Sequence, residues 1–237
     1  MTNPIAIKVG ADATGPLLEV SVEELVAADV AAAIAAKSSE TPPGDLVPVW
    51  VDHPEKADGN LDEAMSGVGY RARRDLWKLE VGLPPIGGFA AAEGVAVRSF
   101  VINADEEAWV EVNNRAFAWH REQGGWTVEQ VAEREAEDWF DADGFLIHEL
   151  DGDIAGFCWT KIHDEEEPPA GEIYVIGVDP AHHGKGLGRA MTVAGLESIH
   201  SRGFSRAILY VDADNTPAAR LYETLGFTVE TVRRLYS

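Results

Sequence analysis

A glycine-rich turn between an apolar strand and an amphipathic helix constrains this chain more than any other stretch. It reads Val178-Asp179-Pro180-Ala181-His182-His183-Gly184-Lys185-Gly186-Leu187-Gly188-Arg189-Ala190. The residues before it, Glu172-Ile173-Tyr174-Val175-Ile176-Gly177-Val178, predict a strand. Those after it place Leu187, Ala190, Met191 and Ala194 on one helical face. Glycines that open a helix leave backbone N–H groups free at its N-terminus, where the helix dipole also favours an anion. A phosphate or pyrophosphate suits such a turn. Gly184, Gly186 and Gly188 remove the Cβ atoms that would hold the backbone away from it. Lys185 and Arg189 add positive charge to a chain with 41 acids, 19 bases and a net charge of −22. A helix-opening turn without a ligand is the plain alternative.

The spacing is not that of a P-loop, which needs Gly-x-x-x-x-Gly-Lys-Ser/Thr, nor the Gly-x-Gly-x-x-Gly of dinucleotide-binding folds. His183-x-x-Gly186-x-Gly188 instead resembles the Arg/Gln-x-x-Gly-x-Gly/Ala loop of the GNAT acetyltransferase superfamily, which cradles the pyrophosphate of acetyl-CoA. His183 stands where the superfamily has Arg or Gln.

Composition limits the partners. Nucleic acid and anionic membranes both attract clustered Lys and Arg, so a net charge of −22 makes each a poor partner. No apolar run reaches transmembrane length, and Met1-Thr2-Asn3-Pro4 lacks the pattern of a secretion signal. One cysteine, Cys158, excludes an internal disulfide and suits a reducing cytoplasm. A monomer is expected, although nothing in the sequence fixes the oligomeric state. Cys158 lies in the apolar run Ile154 to Trp159, which favours packing over nucleophilic chemistry. Adjacent His182 and His183 face apart without a further ligand at helical spacing, so no metal is expected.

Leu83-Pro84-Pro85-Ile86-Gly87-Gly88 breaks regular structure. We therefore expect an N-terminal segment over 1–85, a linker over 86–94 and a second domain over 95–237. A faint repeat spans the break. Val49-Trp50-Val51-Asp52 echoes Leu209-Tyr210-Val211-Asp212, and Val68-Gly69-Tyr70 echoes Leu225-Gly226-Phe227. Each copy reads strand, helix, Gly-aromatic, strand, so 1–85 is either an eroded copy of the later fold or a chance echo.

From Val95 onward the elements read in order. A strand covers Val95 to Phe100, and Asp105 caps a helix carrying Trp109, Val112, Ala116 and Phe117. Thr127-Val128-Glu129-Gln130 is a capping box opening a second helix through Trp139. Strands at Phe145–His148 and Ile154–Lys161 meet at Asp151-Gly152, a hairpin signal. The Glu172 strand, the glycine turn and a helix ending near Gly203 follow. Then come the strand Ala207 to Val211, a short helix with Pro217 in its first turn, and a last strand over Phe227 to Leu235. This β-α-α-β-β-β-α-β-α-β order resembles a GNAT domain. The resemblance implies an α/β (α+β) fold: a mixed, mostly antiparallel sheet flanked by helices, preceded by a partial GNAT-like segment.

Acetyl transfer to an amine needs a neutral amine, a polarised carbonyl and a protonated leaving thiolate. Glu172, at the start of its strand, suits a general base. The N–H groups of Ile176 and Val178 suit polarisation of the carbonyl. Tyr222, on the short helix, suits the acid, and Asn215 suits a contact with coenzyme A at that helix start. Without the family, Glu172 also reads as a solvated strand-edge acid, Tyr222 as a packing aromatic, Tyr210 as a half-buried aromatic, and Lys161 with His163 as a surface pair.

Longer runs narrow the family. Asn113-Asn114-Arg115-Ala116-Phe117-Ala118, Glu122-Gln123-Gly124-Gly125-Trp126-Thr127, Gly156-Phe157-Cys158-Trp159-Thr160-Lys161-Ile162-His163 and Tyr222-Glu223-Thr224-Leu225-Gly226-Phe227 resemble the C-terminal domain of the mycothiol synthases, two-domain GNAT enzymes. That resemblance implies acetylation of the cysteinyl amine of desacetylmycothiol, a cysteinyl-glucosaminyl-inositol, by acetyl-CoA. It implies Glu172 as base and Tyr222 as acid, with Glu122, Lys161, Glu172 and Tyr210 lining the substrate site. Ile176, Gly177 and Val178, then His183, Gly184, Lys185, Gly186, Leu187, Gly188 and Arg189, with Asn215 through Arg220, would hold acetyl-CoA. The family has a full N-terminal domain where 1–85 reads as about half of one. A GNAT enzyme for another amine, or a non-catalytic acetyl-CoA or partner-binding module, are the alternatives.

Overall fold

A computed structural model describes residues 6–12, 15–21, 27–38, 47–54, 59–89, 95–120 and 123–237. In chain order the first half holds β1 (Ala6–Asp12), β2 (Gly15–Ser21), α1 (Ala27–Ser38), β3 (Val49–Pro54), α2 (Gly59–Gly67) and β4 (Ala72–Gly82). Next come β5 (Arg98–Ser99), α3 (Glu106–Ala116), α4 (Val128–Glu135), β6 (Phe145–Leu150), β7 (Asp153–His163) and β8 (Ala170–Val178). Last are α5 (Leu187–Ser201), β9 (Arg206–Asp212), α6 (Thr216–Thr224) and β10 (Thr228–Tyr236). Proximity divides the chain into two units. One is Met1–Leu79 with Tyr210–Arg220 and Thr228–Ser237; the other is Glu80–Leu209 with Leu221–Phe227. No described helix is long and apolar enough to cross a membrane.

The first unit orders its strands β1-β2-β3-β10-β4. β3 pairs antiparallel with β10 and parallel with β2. Alternating Leu18, Val20, Val49 and Val51 meet Val30 and Ile34 of α1 and Leu61 and Met65 of α2 in one buried cluster. Arg233 bonds Asp52 and Glu19, while Arg234 bonds Asp75 and Asp62. The two stretches of the faint echo close their helices alike. Gly69 (φ 96°) and Gly226 (φ 93°) are left-handed. Tyr70 N donates to Met65 O as Phe227 N donates to Tyr222 O. Met65 therefore holds the place in the first stretch that Tyr222 holds in the second.

The second unit orders its strands β9-β8-β7-β6-β5. β5, β6, β7 and β8 run antiparallel in turn, and β8 runs parallel to β9. One face of β7 presents Phe157 and Trp159, which pack edge-on against Trp109 of α3 at 5.4 and 5.9 Å. Phe145 stacks between Phe100 and Trp159 at 4.3 and 4.4 Å. The other face presents Cys158 to α5, where a Cβ on Gly195 would fall 2.4 Å from its Sγ. Burial pushes this thiol up to about 12, so Cys158 is a packing residue.

The turn signals hold. Thr127 and Gln130 form the reciprocal capping box of α4. Asp151 (φ 55°) and Gly152 (φ 94°) make the hairpin turn. Three expectations need correction. The first strand of this unit is only Arg98–Ser99. Asp105 precedes α3 without capping it, because its carboxylate is taken by Val101 N and Arg98. The second helix stops at Glu135, not Trp139; Trp139 leaves the helix to pack on Trp159 and Tyr174.

Glu106 and Glu135 face each other between α3 and α4. Burial, then the Glu106 charge, pushes Glu135 up from 4.5 to about 7. The fold therefore binds more protons than the unfolded chain between these values, and stability falls as pH rises through that window. Glu135→Gln is expected to raise Tm at pH 8 by roughly 2–8 °C, about 1–2 kcal/mol after solvent screening, and to change nothing at pH 4. Thermal melts at the two pH values check this.

Candidate active site

β8 carries the site because its two edges are used unequally. Its ladder with β7 runs from Ala170 to Val178, but its ladder with β9 covers only Gly171, Glu172 and Ile173. Beyond Ile173, among the described residues, the β9-side edge has no ladder partner. The break coincides with a register shift. Trp159 pairs with Val175 and Thr160 with Ile173, so Tyr174 is an extra residue in β8. Such a bulge bends a strand and re-aims its side chains. Ile176, Gly177 and Val178 follow it on the open edge. Gly177 has a packing reason of its own, since a Cβ there would lie 2.6 Å from the ring of Phe157, its cross-strand partner.

Glu172, 8% exposed, sits opposite Lys161 on β7. Its Oε2 lies 2.6 Å from Nε2 of His163, two residues further along β7. The Lys161 ammonium stands 4.5 Å over the Trp139 ring and 5.9 Å from that of Tyr174. The bond to Glu172 raises the His163 pKa, burial and Lys161 oppose it, and the charges of Glu172 and Glu166 add to it. Glu172, Lys161 and His163 thus form one cluster. The surface-pair reading of Lys161 and His163 is corrected: both are partly buried, one against aromatic rings and one against Glu172. Sequence spacing marks Lys161 and His163 as sharing a strand face, but only the bulged register brings Glu172 to His163.

Tyr222, 6% exposed, lies on α6 with its ring 5.6 Å from Phe227. Burial first, then the Cys158 side chain, raises its pKa well above the ordinary phenol value. The hydroxyl keeps its proton at every physiological pH. Leu221, beside it, comes within 3.7 Å of a Cβ placed on Gly188, so this turn of α6 meets the opening of α5.

The glycine turn divides its labour. Gly184 (φ 76°) and Gly186 (φ 80°) are left-handed, and Gly186 is the N-cap of α5. Gly188 is an ordinary helical residue whose added Cβ would make only that 3.7 Å contact. His183 Nε2 lies 3.0 Å from Val178 O, and Lys185 Nζ lies 3.3 Å from His182 Nδ1. Arg189 extends along Gly87. Asp179 holds the entry to the turn: although burial opposes its ionisation, bonds from Ala181 N and Arg115 lower its pKa. A cleft of about 500 Å³ beside this entry has its arginines already paired, Arg98 to Asp105 and Glu149, and Arg115 to Asp179.

On the expectation, implied by the GNAT resemblance, that this turn holds acetyl-CoA, Gly186→Ala is expected to weaken that binding about fivefold or more, through roughly 1 kcal/mol of left-handed strain in the loop. Gly188→Ala is expected to stay within about twofold, because its backbone is helical and Ala favours a helix. Calorimetric titration of both variants checks the contrast.

Tyr210, Asn215 and Arg220 fall in the first unit. Tyr210 is 40% exposed on β9, and Asn215 Oδ1 accepts from Ala218 N at the start of α6. Glu122 lies outside the described residues. Reasoning from the sequence missed Trp139 and Tyr174 beside Lys161; both lie far from Lys161 in the sequence, so no local signal marked them. It also missed the work of Asn113 and Asn114, which bond the backbone at Gln123 and Trp126 and so fix the loop beyond α3.

Residues 108–227 match the family model of the acetyltransferase (GNAT) family. A mycothiol acetyltransferase of Thermobispora bispora is 48% identical over 187 residues, 76% of this chain and 63% of that protein. The Acidothermus cellulolyticus protein of the same name is 39% identical over 244 residues, 91% of this chain and 70% of its own length. The chain thus spans about three fifths of the first of these relatives. Among solved structures, a GCN5-related N-acetyltransferase from Sphaerobacter thermophilus has the same fold, with a TM-score of 0.69 and 24% identity over 93% of this chain and 72% of that one.

Proposed function

Because the chain belongs to the GNAT acetyltransferase family, we propose that it transfers the acetyl group of acetyl-CoA to the cysteinyl amine of desacetylmycothiol. The supporting observation is the 39% identity to a mycothiol acetyltransferase across 91% of the chain. The cluster of Glu172, Lys161 and His163 gives that identity a chemistry. A carboxylate receives the substrate ammonium, and a lysine with flanking Trp139 and Tyr174 receives the hydroxyls and ring face of a sugar.

The residues fit acetyl-CoA. Left-handed Gly184 and Gly186 open a helix whose first N–H groups have no intrahelical acceptor, and an added Cβ at either glycine would meet nothing within 4 Å. Lys185 and Arg189 supply positive charge there. The open edge at Ile176, Gly177 and Val178 supplies backbone donors for the pantetheine arm and the thioester carbonyl. Glu172 takes the ammonium proton. The freed nitrogen attacks the carbonyl carbon, the C–S bond breaks, Tyr222 gives its proton to the departing sulfur, and the surplus proton on the acylated nitrogen returns to the Tyr222 phenolate, so one proton is released per turnover, through Glu172. The acidic surface leaves a small molecule as the partner, and a cytoplasmic monomer is our reading.

A comparison of amines tests the assignment. Cysteinyl-glucosaminyl-inositol is expected to exceed cysteine methyl ester and a peptide N-terminus in kcat/KM by at least about 10²-fold, the worth of satisfied hydroxyl contacts. Equal values for all three would overturn the substrate while leaving acetyl transfer in place.

A further inference from the structure

Glu172 is not a lone carboxylate. Its Oε2 is held at 2.6 Å by His163 Nε2, and both side chains are largely withdrawn from water, at 11% and 16% exposure. A base paired in this way works differently from a solvated one. With two protons on the imidazole, the Nε2–H donates to Oε2 and cancels the carboxylate charge. The pair is then neutral and a poor acceptor for an ammonium proton. With a neutral imidazole the pair carries −1 and accepts one proton as a unit.

We propose that His163 is a positioning residue that sets the working pH of Glu172: acetyl transfer proceeds when the His163 ring is neutral and stops when it carries two protons. This rests on Glu172 being the base. The proton balance is simple. The amine gives one proton to the Glu172 carboxylate, and after transfer the carboxyl releases it to solvent; His163 changes charge only between turnovers.

The groups around the ring fix the direction of its titration. Glu172 faces it from β8. Lys161, on its own strand β7, opposes its positive charge. Glu165 in the following loop lies 3.6 Å from Nδ1. Glu166, also in that loop, adds negative charge, though Arg206 of β9 is bonded to it at 3.3 Å. Three carboxylates against one lysine hold the proton on the ring, in agreement with its raised pKa. The acid limb of activity therefore lies above the ordinary histidine value of about 6.5, not in the carboxylate range near 4.3.

The experiment is an NMR titration of the His163 ring in the full chain, beside pH profiles of kcat, for wild type, His163→Gln and Glu172→Gln. Gln keeps a donor facing Glu172 but cannot titrate; His163→Asn serves if the Gln variant misfolds. The ring is expected to titrate above 6.5 in wild type and about one unit or more lower in Glu172→Gln. The wild-type acid limb is expected to match the ring, and in His163→Gln to move down by about one unit or more. A purely structural role would change the rate without moving the midpoint. An unmoved midpoint in His163→Gln with Glu172→Gln inactive overturns this proposal alone. Full activity in Glu172→Gln overturns the base assignment as well. A ring pKa indifferent to Glu172→Gln overturns the coupling, with or without activity data.

Discussion

Tyr222→Phe is expected to lower kcat about 10²-fold or more while the Kd for acetyl-CoA stays within about twofold. The residue is buried at 6% exposure, so a ring of the same size is needed to fill its place. Phe retains that ring and its 5.6 Å contact with Phe227. What it removes is the phenol proton. Burial and Cys158 hold that proton in place at every pH at which the protein works. The leaving thiolate of coenzyme A would then depart as an anion in a site without a proton donor, and the barrier rises by about 3 kcal/mol for a 10²-fold loss. Met65 shows that the same local turn needs no phenol for structure. It occupies the matching place in the turn before Tyr70, its carbonyl accepts the same kind of backbone bond from Tyr70 N, and it is fully buried. A rapid-quench measurement of turnover with a thermal melt separates chemistry from folding. An unchanged rate would remove the acid role.

Glu172→Gln is expected to lower kcat/KM by about 10²- to 10⁴-fold at pH 7, the usual range for losing a general base. The sign of its pH dependence follows from the substrate. An α-amine with a pKa near 7.7–8.0 is mostly ammonium at pH 7 and must lose a proton before it attacks. The carboxamide cannot take that proton, so only the neutral fraction reacts. That fraction grows from about a tenth at pH 7 to most of the amine by about pH 9, so the deficit shrinks by up to about tenfold across that range. A variant that matched wild type at pH 7 would leave Glu172 with a purely electrostatic task.

Local chemistry is where the sequence spoke most clearly. Thr127 with Gln130, Asp151 with Gly152, and Gly203 after α5 are short-range devices whose geometry depends on a few neighbouring residues, and each is found where its spacing placed it. The order of elements from Arg98 to Tyr236 follows from the same signals. The glycine turn was legible as the opening of a helix, although the equal weight given to its three glycines was not warranted: Gly184 and Gly186 are left-handed, while Gly188 is a plain helical residue.

What was hidden depends on register. Lys161 and His163 read as a surface pair because a strand near its end is usually exposed. The bulge at Tyr174 turns β8 so that Glu172 meets one and the Trp139–Tyr174 rings take the other. No local spacing announces a bulge, so the His163–Glu172 bond could not be read from the chain. Trp139 was placed in a helix for the same reason; its aromatic partners, Trp159 and Tyr174, come from strands far along the sequence. The pairing of β10 with β3 is likewise a matter of topology, made by Arg233 with Asp52 and by apolar alternation that any neighbouring strand would have satisfied.

The most direct measurement is mass-spectrometric analysis of the product formed by the purified chain from acetyl-CoA and synthetic cysteinyl-glucosaminyl-inositol. The account predicts one added acetyl group, located on the cysteinyl nitrogen by fragmentation, formed by wild type and lost in Tyr222→Phe and Glu172→Gln. Acetyl-CoA binding without that product, or an acetyl group on the thiol alone, would contradict it.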